Sequence, residues 1–337
     1  MGYNTKKSIK FSIMPFVFAS AIILVLIYSI GFENFFRVIA YASPVGLISA
    51  VFIYSISWIL RAVRLESLCK NVGAHVGIKE LFKIYISGNA LNVILPAKLG
   101  DAAVMGYLKM HGISIGMSAA ITVQCRILDV IALVLFTLPS AILLFPEALP
   151  EWIRFIIIAS ALIVLLPIAI LLLSRCMGSE NILKMIPELK TKSKHLHLFA
   201  EKAKEAYFGY LKIASEKQLF SFTLLISLFI WLLDILTCYE VSLAIGVQVP
   251  TSVAVLAVSL ANIGKSAPAT PGSIGIYESI LAAILALFGI SMQLAVPIAI
   301  LDHAIKNLFT LALGVPATMS QGLSLYELVR SYEAQKH

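Results

Sequence analysis

Two charged pairs stand inside long apolar runs of this chain. Arg126 and Asp129 lie three residues apart, and Asp302 and Lys306 lie four apart. Charge at such depth is costly in hydrocarbon, so it marks an ion, proton or substrate site unless the partners neutralise one another on a shared helix face. Asp302 also adjoins His303, a pairing open to proton coupling. Two further cations stand where the apolar pattern breaks: Lys98 in LPAKLGD (95–101) and Lys265 in ANIGKSAPATPGSIGIYE (261–278). A lysine beside helix ends exposed at a Pro/Gly turn suits a phosphate. The competing assignments are pairing with Asp101 or Glu278, or extension of each lysine to an interface. On the first view Lys98, Arg126 and Lys265 meet phosphate. Asp101, Asp129, Glu278 and Asp302 then balance charge or meet a cationic group. Around them, Asn89 and Asn262 are placed to satisfy backbone freed by the breaks, while Asn92, Pro96, Gly100, Pro268, Thr270, Pro271, Gly272 and Gly275 make up the hairpin motifs.

These residues need a membrane scaffold. Of the 337 residues 60% are hydrophobic and only 13% charged, with a mean hydropathy of +0.94, outside the range of ordinary soluble domains. Six runs are long enough to cross the hydrocarbon core: roughly 11–31, 43–60, 114–138, 152–173, 219–245 and 293–318. Regions 79–111 and 251–289 are helical in character but interrupted. With a cytoplasmic N-terminus, segments 1–10, 61–83, 174–218 and the tail hold 19 of the 26 Lys and Arg, against Arg37 and Arg154 outside. That bias sets the orientation, with both termini cytoplasmic. It also requires each interrupted region to enter and leave on one side, as a re-entrant hairpin. The basic segment 174–218 is expected to be a solvated helical hairpin beside anionic headgroups.

The two interrupted regions belong to a repeat. Trp58, Gly73, Val76 and Asn89 recur as Trp231, Gly246, Val249 and Asn262, each 173 residues later. GISIGMSAA (112–120) then matches GISMQLAVP (289–297) at 177. The first unit starts with an inward span and the second with an outward one, so the two are inverted, an architecture of transporters with broken helices near the midplane. The expected fold is all-α, with about six full crossings and two re-entrant hairpins in inverted repeats. Its parts are 1–42 (first span and outer loop), 43–138 (first repeat), 139–218 (connecting span and basic segment), 219–320 (second repeat) and 321–337 (cytoplasmic tail).

Several classes drop out. GKS at 264–266 imitates a phosphate-binding loop, but Ser259 stands where that loop needs Gly, and no soluble strand precedes it. Four scattered Cys and six His show no metal spacing, so no metal and no cofactor is expected. The net charge of +8 fits cytoplasmic loops rather than nucleic-acid binding. The first apolar run is too long for a usual signal core and lacks a clear cleavage site.

The two interrupted regions resemble the signature regions of the lysylphosphatidylglycerol synthase transmembrane region family, also described as flippase-like and UPF0104-type membrane proteins. Asn92, Pro96, Lys98, Gly100 and Asp101 match the first, and Thr270, Pro271, Gly272, Ile274, Gly275 and Glu278 the second. Ser273 replaces a usual Gly, Lys98 a usual Arg, and Asp101 a common Glu. The resemblance covers about 15–320 and implies a module that moves a polar lipid between leaflets of the cell membrane. The soluble aminoacyl-transferase domain of larger relatives is not expected here, so the chain is not expected to be an enzyme. The implied partner is a lipid with an anionic or phosphate-bearing headgroup, with lipid- or glycan-modifying enzymes as candidate associates. Two rivals stay open: an ion-coupled solute transporter, and a membrane-embedded enzyme or scaffold in glycolipid assembly.

Overall fold

The computed structural model describes residues 5–95, 98–145, 150–177, 194–265 and 270–321. Pro96 and Pro268 of the turn motifs, and the tail beyond 321, lie outside the described residues. The described residues form α-helices and no strands. In chain order these are α1 (Thr5–Ile30), α2 (Phe32–Ala40), α3 (Pro44–Asn71), α4 (Ile78–Ile94), α5 (Leu99–Met110), α6 (Ile115–Leu144) and α7 (Glu151–Met177). There follow α8 (Lys194–Ser215), α9 (Lys217–Ala244), α10 (Thr251–Gly264), α11 (Ile276–Leu287) and α12 (Met292–Ser320), with a short 3-10 turn at Pro271–Ser273.

Five helices, α3, α6, α7, α9 and α12, are long and apolar enough to cross a membrane. The pair α1 and α2, bent by 89°, makes a sixth crossing if it counts as one span. The chain is an all-α, multi-pass membrane protein. Between these long helices sit two short pairs, α4 with α5 and α10 with α11, whose 17, 12, 14 and 12 residues fall below the ~20 that span hydrocarbon.

The repeat is visible in the backbone. Helices α3 and α9 both have 28 residues, and α6 and α12 have 30 and 29. Gly73 and Gly246, which follow α3 and α9, share a φ of 85°, and Gly112 and Gly289, before α6 and α12, have 85° and 86°. The two units interlock. Helix α3 lies along α9, α4 packs on α12 of the other unit, and α10 packs on α6. Apolar clusters form mainly around each unit, one from α9 to α12 and one from α3 to α6 with α8.

Each short pair closes on itself through small residues. A Cβ at Gly100 would fall 1.8 Å from the Gly88 carbonyl oxygen, so α4 and α5 cross with backbones in contact. The tips of the two pairs also meet. Gly272 lies so near α4 that a Cβ there would sit 3.3 Å from Val93 Cγ1 and 3.4 Å from Val93 O.

Two expectations change here. The span expected to end at 60 continues to Asn71, because α3 carries Arg61 and Arg64 within the protein at 8% and 0% exposure. Two cations counted as cytoplasmic are therefore interior. The basic segment is also more than a solvated hairpin. Within it, α8 buries Tyr210, Leu211, Ile213 and Ala214 beside α6. Glu205 of α8 closes the start of α6, where hydrogen bonds from the Ser114 hydroxyl and the Gly116 amide hold its carboxyl below the usual range.

Gly100→Ala is expected to lower the thermal midpoint of the detergent-purified protein, at a cost of about 1–3 kcal/mol or more from overpacking. Gly106→Ala on the same helix, where an added Cβ meets nothing within 4 Å, leaves the midpoint unchanged or slightly raised. Equal midpoints for both variants contradict the close crossing.

Candidate functional site

A cavity of about 160 Å³ lies between the two units. That is room for about five waters at ~30 Å³ each, or for a phosphate group. Helices α3, α6, α9 and α12 form its sides, and the ends of α4 and α10, with the turn at 271–273, reach into it. Of the sequence candidates, Lys98, Arg126, Asp129, Lys265 and Lys306 line it, as do Asn89, Asn92, Asn262, Thr270 and Gly272. Asp101, Glu278 and Asp302 stand behind the wall, each bonded to another residue. Lining residues not anticipated as part of the site include Trp58, Arg61, Trp231 and Asp234.

The pairs expected within single helices are partly replaced by pairs between helices. Arg126 does not bond Asp129. It grips both oxygens of Asp101, with Nε 3.0 Å from Oδ2 and Nη2 on Oδ1. Asp129 instead accepts from Arg64 Nη1 at 2.6 Å and Nη2 at 3.3 Å, and from Trp231 Nε1 at 3.1 Å. Arg64 also donates to Ser227 at 2.7 Å and Tyr85 at 3.2 Å, so this fully buried guanidinium is held by three helices besides its own. The expected Asp302–Lys306 pair does form, at 2.9 Å, and Lys306 adds Asp234 at 3.0 Å. Tyr277 donates to Asp302 at 2.6 Å. Glu278 bonds His303 Nδ1 at 2.7 Å and accepts the Gly275 amide at 2.7 Å, which ties the second turn to α12.

These bonds follow the repeat, with changed chemistry. Shifting Asp101 and Arg126 by 177 residues gives Glu278 and His303, so one carboxylate latch occurs twice, closed by arginine in the first unit and by histidine in the second. The same shift carries Asp129 to Lys306, and a shift of 173 carries Arg61 to Asp234. Asp129 binds an arginine of α3, while Lys306 binds an aspartate of α9. The sign of the central charge is thus exchanged between the halves. The latches also differ in access. Arg126 and Asp101 side chains are 35% and 20% exposed, but His303 and Glu278 only 1% and 5%.

The asparagines divide their work differently from expectation. Asn89 and Asn262 donate to carbonyls one turn back, Tyr85 O at 2.8 Å and Val258 O at 2.9 Å, within continuous helix rather than at the break. Asn92 serves the broken backbone. It accepts the Gly100 amide at 2.8 Å and donates to Asp101 at 2.9 Å. Thr270 closes its own turn by donating to Ile274 O at 2.9 Å.

The acids that might have paired with Lys98 and Lys265 are therefore committed elsewhere. Among the described residues neither lysine has a carboxylate within 4.0 Å, and neither has Arg61. Arg61 is held instead between the equivalent tryptophans, its guanidinium carbon 5.4 Å from the rings of both Trp58 and Trp231. Lys265 Nζ stands 5.2 Å from the Tyr277 ring. Lys98 adopts a left-handed backbone at φ 54°, uncommon for a side chain of its kind.

The profile described as lysylphosphatidylglycerol synthase TM region matches residues 12–314, nearly the whole transmembrane scaffold just described. The chain belongs to that family. Among its relatives, a UPF0104 membrane protein of Pyrococcus horikoshii is 27% identical, over 85% of this chain and 90% of its own length. A UPF0104 membrane protein of Methanothermobacter thermautotrophicus is 20% identical over 92% and 93%. Glycosyltransferase AglD of Haloferax volcanii is 26% identical over 84% of this chain, which spans half the length of AglD.

Asp129→Ala leaves Arg64 buried without a carboxylate and is expected to cost roughly 3–5 kcal/mol of stability. Asp234→Ala leaves Lys306 its Asp302 contact and is expected to cost less, on the order of 1–2 kcal/mol. Denaturation midpoints of the two variants in detergent check this; equal losses contradict the shared lysine.

Proposed function

We propose that this family member moves a phosphate-bearing lipid between membrane leaflets, passing the headgroup through the central cavity while the tails stay in the bilayer. The observation that carries the reading is three cations without ion-pair partners among the described residues, the buried Arg61 and the half-buried Lys98 and Lys265, on one cavity inside a membrane protein. A buried unpaired cation is unfavourable in isolation and becomes favourable when an anion enters. On this reading the α4/α5 and α10/α11 pairs are re-entrant hairpins from opposite faces, with tips near the midplane and both chain termini cytoplasmic. Irregular backbone at that depth is tolerated where it lines such a cavity.

The wall of the cavity favours a lipid over a free solute. Helix α9 packs on α6, whereas the equivalent pair, α3 and α12, touches at few residues, Tyr54 against Phe309 among them. A sparse seam beside Asn307 and Lys306 gives a headgroup a sideways route from the bilayer. Transport rather than catalysis is the role we assign, and the lipid itself is the partner. The name of AglD connects one relative to glycosyl transfer, so a lipid destined for or carrying a glycan is among the cargoes this reading includes.

In proteoliposomes with fluorescent phospholipids, the purified chain is expected to raise leaflet exchange above protein-free vesicles. The double variant Lys98→Gln, Lys265→Gln is expected to lower that exchange by about tenfold or more while eluting as the same folded species. Exchange unchanged by the double variant contradicts the assignment.

A further inference from the structure

The charges of the cavity discriminate between headgroups. Two carboxylates line it, Asp129 and Asp234. Asp129 is held by Arg64 and Trp231, and Asp234 by Lys306 and Asn262, with bonds between 2.6 and 3.3 Å. The acids behind the wall are equally engaged: Asp101 with Arg126 and Asn92, Glu278 with His303 and the Gly275 amide, Asp302 with Lys306 and Tyr277. An amine entering the cavity meets carboxylates whose charge is already shared with Arg64 or Lys306, and it stands among the unpaired cations Arg61, Lys98 and Lys265.

An anion meets the opposite situation. Arg61 is 8% exposed, and its Nε is buried with no hydrogen-bond partner among the described residues. Its guanidinium is fixed by Trp58 and Trp231, one from each repeat, so it is oriented before anything binds. Lys98 and Lys265 come from the two hairpin tips and line the same cavity. Three donors line it from three elements: a flat fork on α3 and one ammonium at each tip. A phosphodiester offers two free oxygens and one negative charge. A terminal phosphate offers three oxygens and close to two charges at neutral pH.

We infer that the cavity selects a dianionic phosphate group, a phosphomonoester or terminal diphosphate, and rejects zwitterionic and aminoacylated headgroups. This rests on the reading of the cavity as a headgroup site. The shared chemistry is the terminal phosphate, whether it is carried by a lipid or free in water. The two tryptophans that flank Arg61 also provide an optical signal at the site.

The test is tryptophan fluorescence titration of the detergent-purified full chain with four probes: dioleoyl phosphatidic acid, dioleoyl phosphatidylglycerol, its lysyl ester, and inorganic diphosphate. Phosphatidic acid is expected to bind about tenfold or more tightly than phosphatidylglycerol, with the lysyl ester weakest. Its advantage shrinks as pH falls through about 6, where the monoester loses its second charge. Arg61→Gln is expected to remove most of the preference and Arg61→Lys to keep part of it. Lys98→Gln, at a less buried position, gives a readout if Arg61→Gln does not fold. Equal affinity for phosphatidic acid and phosphatidylglycerol, or tighter binding of the lysyl ester, overturns the inference and leaves lipid transport standing. Tight binding of diphosphate with no lipid binding upholds the dianion and overturns the lipid reading. No binding of phosphatidic acid or diphosphate overturns the inference.

Discussion

The structure depends on how charges are settled where water is scarce. A buried ion pair contributes little by itself, but losing one partner is severe. This chain answers by tying most of its interior carboxylates to side chains on other helices. Arg64 joins α3 to α6, Asp101 joins α5 to α6, Glu278 joins α11 to α12, and Lys306 joins α12 to α9. Each bond fixes a helix register that apolar packing in a bilayer leaves loose, since lipid tails compete equally for apolar surfaces. What remains after the pairing is a set of three cations, Arg61, Lys98 and Lys265, facing a common space.

The internal repeat accounts for the arrangement, and its two copies differ. Two copies of one carboxylate latch hold the two short helix pairs, one with arginine and partly open, the other with histidine and buried. Strain lies at the same places. Lys98 and Ser273 both have positive φ, 54° and 58°, at a cost of about 1–3 kcal/mol each. The Ser273 hydroxyl recovers part of this by donating to the Lys265 carbonyl at 3.2 Å, a bond the usual glycine could not make.

Much of this was legible in the residues. Hydropathy located the long helices, and matches at 173 and 177 exposed the repeat and its breaks. The broken segments stood out because Pro and Gly interrupt apolar runs. Arg61 and Arg64 were hidden because two arginines at the end of an apolar run look like a cytoplasmic flank. The repeat itself held the correction, since Arg61 falls opposite Asp234, deep in a span. Partner choice was not legible locally. Arg126 and Asp129 share a helix face, yet each finds a better-placed partner 25 and 65 residues away, which only the packing of α5 and α3 against α6 decides.

The most direct measurement is thiol accessibility of the Asn307→Cys variant, altered at a cavity residue on α12, in a Cys176→Ser background that removes the exposed native thiol. Sealed vesicles of each orientation are treated with a membrane-impermeant maleimide. If a headgroup passes through this cavity, the introduced thiol reacts from both faces of the membrane, and added lipid substrate slows both reactions. Reaction from one face alone, unaffected by any phospholipid, would contradict the account.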